Sequence, residues 1–296
     1  MLCKLTKKGS IFRESCILYG LPDIARKDFI DKTFLIILID LVVGGGEFFA
    51  FGQIQIKIDI AIYLCYNKMN NNVNKTKNGK TMTKKLLIFD LDGTIADTIY
   101  SIRDGVNLTM QKYGLPDRTY EDTKRFIGNG ARELMRLCVP EWVYRDAELF
   151  DRVLADYDAF YGQTYDRVET CYDGMESTLR TLKARGYLLA VLSNKQDEYV
   201  KKIMDILFEK DFFSDVRGQA ELPRKPDPTV PHIIADSLGV PYEDCAFIGD
   251  SDVDVLTGKN ASMMTVGCSW GYRPRAALAD ADAIVDSPLE ILDIFE

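Results

Sequence analysis

Short apolar runs alternate with segments of helical period along most of this chain, and that alternation does most to limit its fold. From Met82 onward the strand candidates fall at 86–89, 187–193, 215–219, 245–249, 264–268 and 283–285. Between them, 174–186, 197–210, 228–239 and 252–261 carry apolar residues at helix spacing, and several end in Gly or run into Pro. Strands joined through helices pair in parallel, and a parallel sheet is covered by helices on both faces. The expected fold is therefore α/β, a doubly wound, Rossmann-like parallel sheet. Residues 97–170 interrupt the alternation. They hold no strand pattern but show helical periodicity at 98–114, 120–128, 131–138 and 145–162. We expect an inserted all-helical cap over 98–169, with the core built from 82–97 and 170–296.

The leading 81 residues differ from the rest in charge and composition. They carry a net charge of +5, against −13 for the remainder. Residues 67–80, NKMNNNVNKTKNGK, are Asn/Lys-rich and read as a disordered linker. The apolar stretch 34–46 is too short for a membrane span and is broken by Asp40, while 53–64 alternates like a strand. Arg13 and Glu14 break any signal-peptide core. Asn, Lys, Ile, Phe and Tyr are spelled by A/T-rich codons, and MTKKLLIFDLDGT from Met82 makes a natural start. The expectation is that 1–81 is an atypical extension, a start-site artefact or a disordered and dispensable segment.

Charge and rare residues narrow the function. With 37 basic and 45 acidic side chains the formal charge is −8, which argues against nucleic acid or an anionic membrane as partner. Seven widely spaced cysteines with no C-x-x-C pair make a poor disulfide framework and a poor zinc site, so reduced thiols in a cytoplasm are expected. One histidine, His232, leaves no material for a two-His metal site and is read as a partly buried or surface residue.

The chemistry gathers at the strand ends, where an open parallel sheet binds its ligands. Asp90 and Asp92 follow the first strand, Ser193-Asn194-Lys195 the second, Lys225 in PRKPDP comes after the third, and Asp250, Asp252 and Asp254 follow the fourth. Taken singly, Ser-Asn is ordinary turn chemistry, KPDP a loop, and an Asp-rich helix start a cap. Together they bring carboxylates, a hydroxyl and an ammonium to one crevice. Unpaired buried carboxylates are costly, so a cation is expected among them.

DLDGT (90–94), SN (193–194), KPDP (225–228) and GDSDVD (249–254), in that order around a helical insertion, resemble the four motifs of the haloacid dehalogenase-like hydrolase superfamily. The resemblance spans Met82 to the C-terminus. FIGNGA (126–131) and SWGYRP (269–274) are similar to the phosphoglycolate phosphatase branch. The resemblance implies a Mg²⁺-dependent phosphatase acting on a small phosphorylated metabolite through an aspartyl-phosphate. It implies Asp90 as nucleophile, Asp92 as general acid and base, and Lys225 as the charge-offsetting lysine. Thr94, Ser193, Asn194 and Lys225 would bind phosphate. Asp90, the Asp92 backbone carbonyl and Asp250 would ligate the ion, with Asp254 supporting them from behind. Asp92 is expected to stay protonated at substrate binding because neighbouring carboxylates crowd it. In the insertion, Gly128 and Gly130 either contact substrate or permit tight turns with Arg132 solvated; Tyr272 and Arg273 are expected to pack or pair. The protein is expected to be a monomer or homodimer. Inorganic pyrophosphatase, nucleotidase and sugar phosphomutase are the rival activities on this core. A dehalogenase would lack Asp92, and a phospho-acceptor signalling domain would lack the insertion.

Overall fold

A computed structural model describes residues 85–168 and 170–295. The extension 1–81 and the strand pattern at 53–64 lie outside the described residues.

Six strands form one parallel sheet: β1 (Leu86–Phe89), β2 (Leu188–Gln196), β3 (Asp215–Gln219), β4 (Cys245–Gly249), β5 (Met264–Cys268) and β6 (Ala283–Val285), in the order β3-β2-β1-β4-β5-β6. The sequence expectation for the sheet holds at every strand. Only β2 differs, running on through Ser193-Asn194-Lys195 to Gln196. A register irregularity between Leu192 and Gln196 lets the polar end rejoin β3 at Gln219.

Side chains on a strand alternate between faces, and here both faces are buried. Leu87, Phe89, Leu189, Val191 and Ile248 pack with α6 (Met175–Ala184) and α7 (Asp197–Leu207). Leu86, Ile88, Leu192 and Phe247 pack against α8 (Thr229–Leu238). On β5, a Cβ at Gly258 of α9 (Asp252–Asn260) would stand 2.5 Å from Thr265, so that glycine lets the helix lie close against the sheet. A short α10 (Ile291–Ile294) closes the chain.

Between β1 and β2, the insertion forms α1 (Ile99–Lys112), α2 (Tyr120–Phe126), α3 (Gly130–Cys138), α4 (Glu141–Arg145) and α5 (Ala147–Tyr161). The periodicity reading missed α4, a single turn after Pro140. These helices bury an apolar cluster of their own, including Val106, Met110, Leu134, Met135 and Phe150. Tyr199 and Tyr272 from the sheet side join that cluster and tie the insertion to the core. Among the described residues no helix is long and apolar enough to cross a membrane.

Strand order reverses at β1, which has β2 on one side and β4 on the other. In open α/β sheets the ligand crevice opens beyond the carboxyl ends at such a point. Asp90 and Asp250 follow the two strands that flank it.

Candidate active site

β1 pairs with β4 in register, Phe89 opposite Ile248, and the Asp90 amide continues the ladder by donating to Ile248 O at 2.9 Å. The carboxylates beyond are therefore neighbours by backbone geometry. One oxygen from each of Asp90, Asp250 and Asp254 lies within 4.8 Å of the others, and all three residues are buried. Lys225 Nζ reaches Asp90 at 2.8 Å and Asp254 at 2.7 Å.

Asp254 also accepts from Ser251, at 2.6 Å from the hydroxyl and 3.1 Å from the amide, which closes the capping box of α9. The capping expected of an Asp-rich helix start is thus realised, and the same carboxylate pairs with Lys225. Asp250 is fixed by the Tyr272 amide at 2.6 Å. Glycine is required beside it: Gly93 has φ +87°, and a Cβ there would sit 2.6 Å from Asp250 Oδ2.

Three buried carboxylates lie around one ammonium, and the ionisation of Asp90 and Asp250 reflects it. Burial, opposed by Lys225 but reinforced by Asp254 and Asp92, pushes the Asp90 carboxyl up to about 7. Burial, with Asp254 and Asp90 adding to it, holds Asp250 well above the usual carboxylate range. Burial pulls the Lys225 ammonium down, but Asp254 and Asp90 outweigh it and hold it above its ordinary value. The all-oxygen donor set of Asp90, Asp250 and Asp254, with its surplus negative charge, fits a hard divalent cation; of the three, Asp254 also holds both Lys225 and the helix start.

A family model described as haloacid dehalogenase-like hydrolase matches residues 87–268. The chain belongs to this family. A phosphoglycolate phosphatase from Psychrobacter arcticus is 33% identical over 220 residues, covering 69% of this chain and 96% of that protein. One from Vibrio vulnificus is 29% identical over 217 residues, covering 71% and 95%. The crystal structure of a predicted phosphoglycolate phosphatase from Haemophilus somnus superposes with a TM-score of 0.66 at 28% identity, covering 73% of this chain and all of that one. The resemblance read from the four motifs, and to the phosphoglycolate phosphatase branch, agrees with these matches.

Within this hydrolase fold, Asp90, Asp92, Ser193, Asn194, Lys225 and Asp250 line one cavity of about 60 Å³. Thr94 does not line it; its buried hydroxyl has no protein partner, and its carbonyl accepts from Trp270. The Asn194 side chain is occupied in positioning, donating to Gly128 O and Lys225 O at 3.1 and 3.2 Å and accepting from the Lys225 amide at 2.9 Å. The chain leaves extended geometry after Asp90 and turns through Leu91–Gly93, and Asp92 still faces the cavity beside Asp90. It meets Lys195 Nζ at 2.9 Å and accepts from the Thr98 hydroxyl at 2.5 Å. The groups that pair with Asp92 are an ammonium and a hydroxyl, and its charge adds to the burial that raises Asp90.

Lys195, read only as part of the second strand end and given no role, and Tyr161, not singled out at all, both line the cavity. Nothing local assigns a role to a lysine after Ser-Asn, and Tyr161 lies on an insertion helix far off in sequence. Arg273 pairs, as expected, donating to Lys124 O at 2.7 Å and to Ile127 O. Arg224 donates to Asn129 O at 2.7 Å, so three core side chains grip carbonyls of the insertion loop. Gly128 and Gly130 have φ of +110° and +80° and line the cavity, while Arg132 pairs with Asp151 on the surface. His232 is remote, stacked on Tyr242 at 4.1 Å.

Proposed function

We propose that this hydrolase is a Mg²⁺-dependent cytoplasmic phosphatase of small phosphate monoesters, with phosphoglycolate as its leading substrate. The observation that carries the reading is Lys225 bridging Asp90 and Asp254 on the floor of a cavity that also holds Asp92 and Ser193. Residues 98–169 act as the cap over it, and 82–97 with 170–296 as the core. The relatives support the substrate, since those reported above are phosphoglycolate phosphatases. The narrow cavity, lined on the cap side by Ile102, Ala131 and Leu134, suits a small ester better than a nucleotide.

Phosphate monoesters resist water because the phosphoryl group is anionic and no nucleophile is held in line. The Asp90 carboxylate attacks phosphorus, and the bond to the leaving oxygen breaks as Asp92 gives that oxygen a proton. Water then attacks the aspartyl-phosphate while Asp92 takes its proton, which frees phosphate and restores Asp90. Lys225, the Ser193 hydroxyl and the amides near Asn194 stabilise the transferring oxygens. Asp90, the Asp92 carbonyl and Asp250 would hold Mg²⁺, which supplies charge neutralisation at the phosphoryl group. Thr98 orients Asp92, and cap closure excludes water.

The test is phosphate release from phosphoglycolate, pyrophosphate, nucleotides and sugar phosphates, with and without Mg²⁺. The expected result is Mg²⁺-dependent release with phosphoglycolate preferred. A pyrophosphate or nucleotide preference refutes the substrate, and phosphoryl retention on a sugar indicates a mutase.

A further inference from the structure

Three cations line the cavity, and two are occupied within the protein. Lys225 is held between Asp90 and Asp254, and the two terminal nitrogens of Arg273 donate to insertion carbonyls. Lys195 is different. Its side chain is 7% exposed, its one carboxylate partner is Asp92 at 2.9 Å, and its ammonium lies over the Tyr161 ring at 4.9 Å. An ammonium carries three donors, so Lys195 retains donors beyond the one given to Asp92.

A second observation stands beside it. Tyr161 also lines the cavity, is 2% exposed, and its hydroxyl, with Lys195 and Ser101 as polar neighbours, meets neither at hydrogen-bond geometry. A buried hydroxyl left unpaired is costly, so this spot favours an incoming acceptor. Two donors with unused capacity, next to a residue already serving the leaving oxygen, fit an anion on the leaving group.

We propose that Lys195, assisted by the Tyr161 hydroxyl, is the specificity-determining pair that binds a carboxylate on the leaving group, so that the enzyme selects phosphate esters of small 2-hydroxy acids. The inference rests on the phosphatase reading and on Asp92 facing the leaving oxygen. In such esters the carboxylate is one carbon removed from that oxygen, which places it beside whatever touches Asp92. Of the two groups touching Asp92, the Thr98 hydroxyl and the Lys195 ammonium, Lys195 is the one that lines the cavity. Ile102, Ala131 and Leu134 offer no polar partner for the hydroxyls of a sugar leaving group.

The experiment compares phosphoglycolate with ethyl phosphate, which has a similar leaving oxygen and no carboxylate, using the full chain with Mg²⁺. The readout is the ratio of the two kcat/KM values, in which any common loss through Asp92 cancels. Lys195→Met should lower that ratio about 10- to 100-fold, the value of a hydrogen bond to a charged group, mainly through KM for phosphoglycolate. Lys195→Arg should restore part of the preference. Tyr161→Phe, which keeps the ring, should lower the ratio less, and it serves if Lys195→Met does not fold. An unchanged ratio in Lys195→Met and Tyr161→Phe, with both substrates slowed equally, overturns the inference and leaves Lys195 as a support for Asp92. Absence of turnover of both esters by the unsubstituted enzyme would instead overturn the phosphatase reading beneath it.

Discussion

Replacing Lys225 with Met removes the one ammonium from the carboxylate cluster while keeping most of the aliphatic stem. Lys225 is 3% exposed and contacts Asp90 at 2.8 Å and Asp254 at 2.7 Å, so the change breaks a doubly paired buried charge. Removing one partner of such a pair costs about 3–5 kcal/mol, because the remaining charges stay buried and uncompensated. The carboxylates can escape by binding protons, and Asp90, pushed up to about 7 chiefly by burial, is already poised to do so. A carboxyl whose folded pKa is raised contributes stability below its unfolded value, and that stability is lost as pH rises through the folded one. The variant, with Lys225 gone, should extend this loss, at about 1.4 kcal/mol per pH unit for each retained proton. The destabilisation should therefore be small near pH 5 and full near pH 8. For a domain of about 150–250 residues, 1 kcal/mol moves Tm by roughly 2–4 °C, so the variant should melt about 6–20 °C lower at pH 8. Thermal melts without metal, from pH 5 to 8, measure it. A divalent ion should restore part of the loss. A Tm change under about 2 °C at pH 8, or an equal change at both pH values, would refute the charge-sharing argument.

Three further outcomes follow from the same geometry. Asp92→Ala should slow turnover about 10²- to 10⁴-fold for alkyl phosphates and less for aryl phosphates; equal losses across leaving groups would contradict the acid role. Gly93→Ala should weaken divalent binding, because the new Cβ falls 2.6 Å from Asp250 Oδ2 at a residue with φ +87°; an unchanged metal titration would count against Asp250 as a ligand. In the unsubstituted protein, divalent affinity should strengthen as pH rises through about 7, where Asp90 sheds its proton; calorimetry giving a flat affinity from about pH 6 to 8 would contradict it.

The sheet was legible because parallel strands buried on both faces are continuous apolar runs, and β1, β4 and β5 are such runs. β2 was read only to Ser193 because Asn194-Lys195-Gln196 is polar, yet it pairs with β3 again beyond an irregularity that no local pattern announces. Asp90, Lys225 and Asp250 were legible because strand ends converge by topology alone. Lys195 and Tyr161 were not. Their partnership depends on how the insertion settles over the sheet, and an isolated Lys or Tyr carries no local sign of it. The partners of the Asp92 carboxylate, Lys195 and Thr98, were not legible either, because the chain turns at Leu91 and their meeting depends on the fold beyond the motif. Thr94 sits inside a motif, but the same turn buries its side chain away from the cavity.

The account stands or falls on where the phosphoryl group goes. Enzyme mixed with phosphoglycolate and Mg²⁺ can be quenched within one turnover and reduced with borohydride, which converts an aspartyl-phosphate to homoserine. Peptide mass spectrometry then reads the modified position. Homoserine at position 90, absent from Asp90→Asn and from samples without substrate, is the predicted result. Phosphate release with Asp90 unmodified in every quenched sample, or with the modification on another carboxylate, would contradict it.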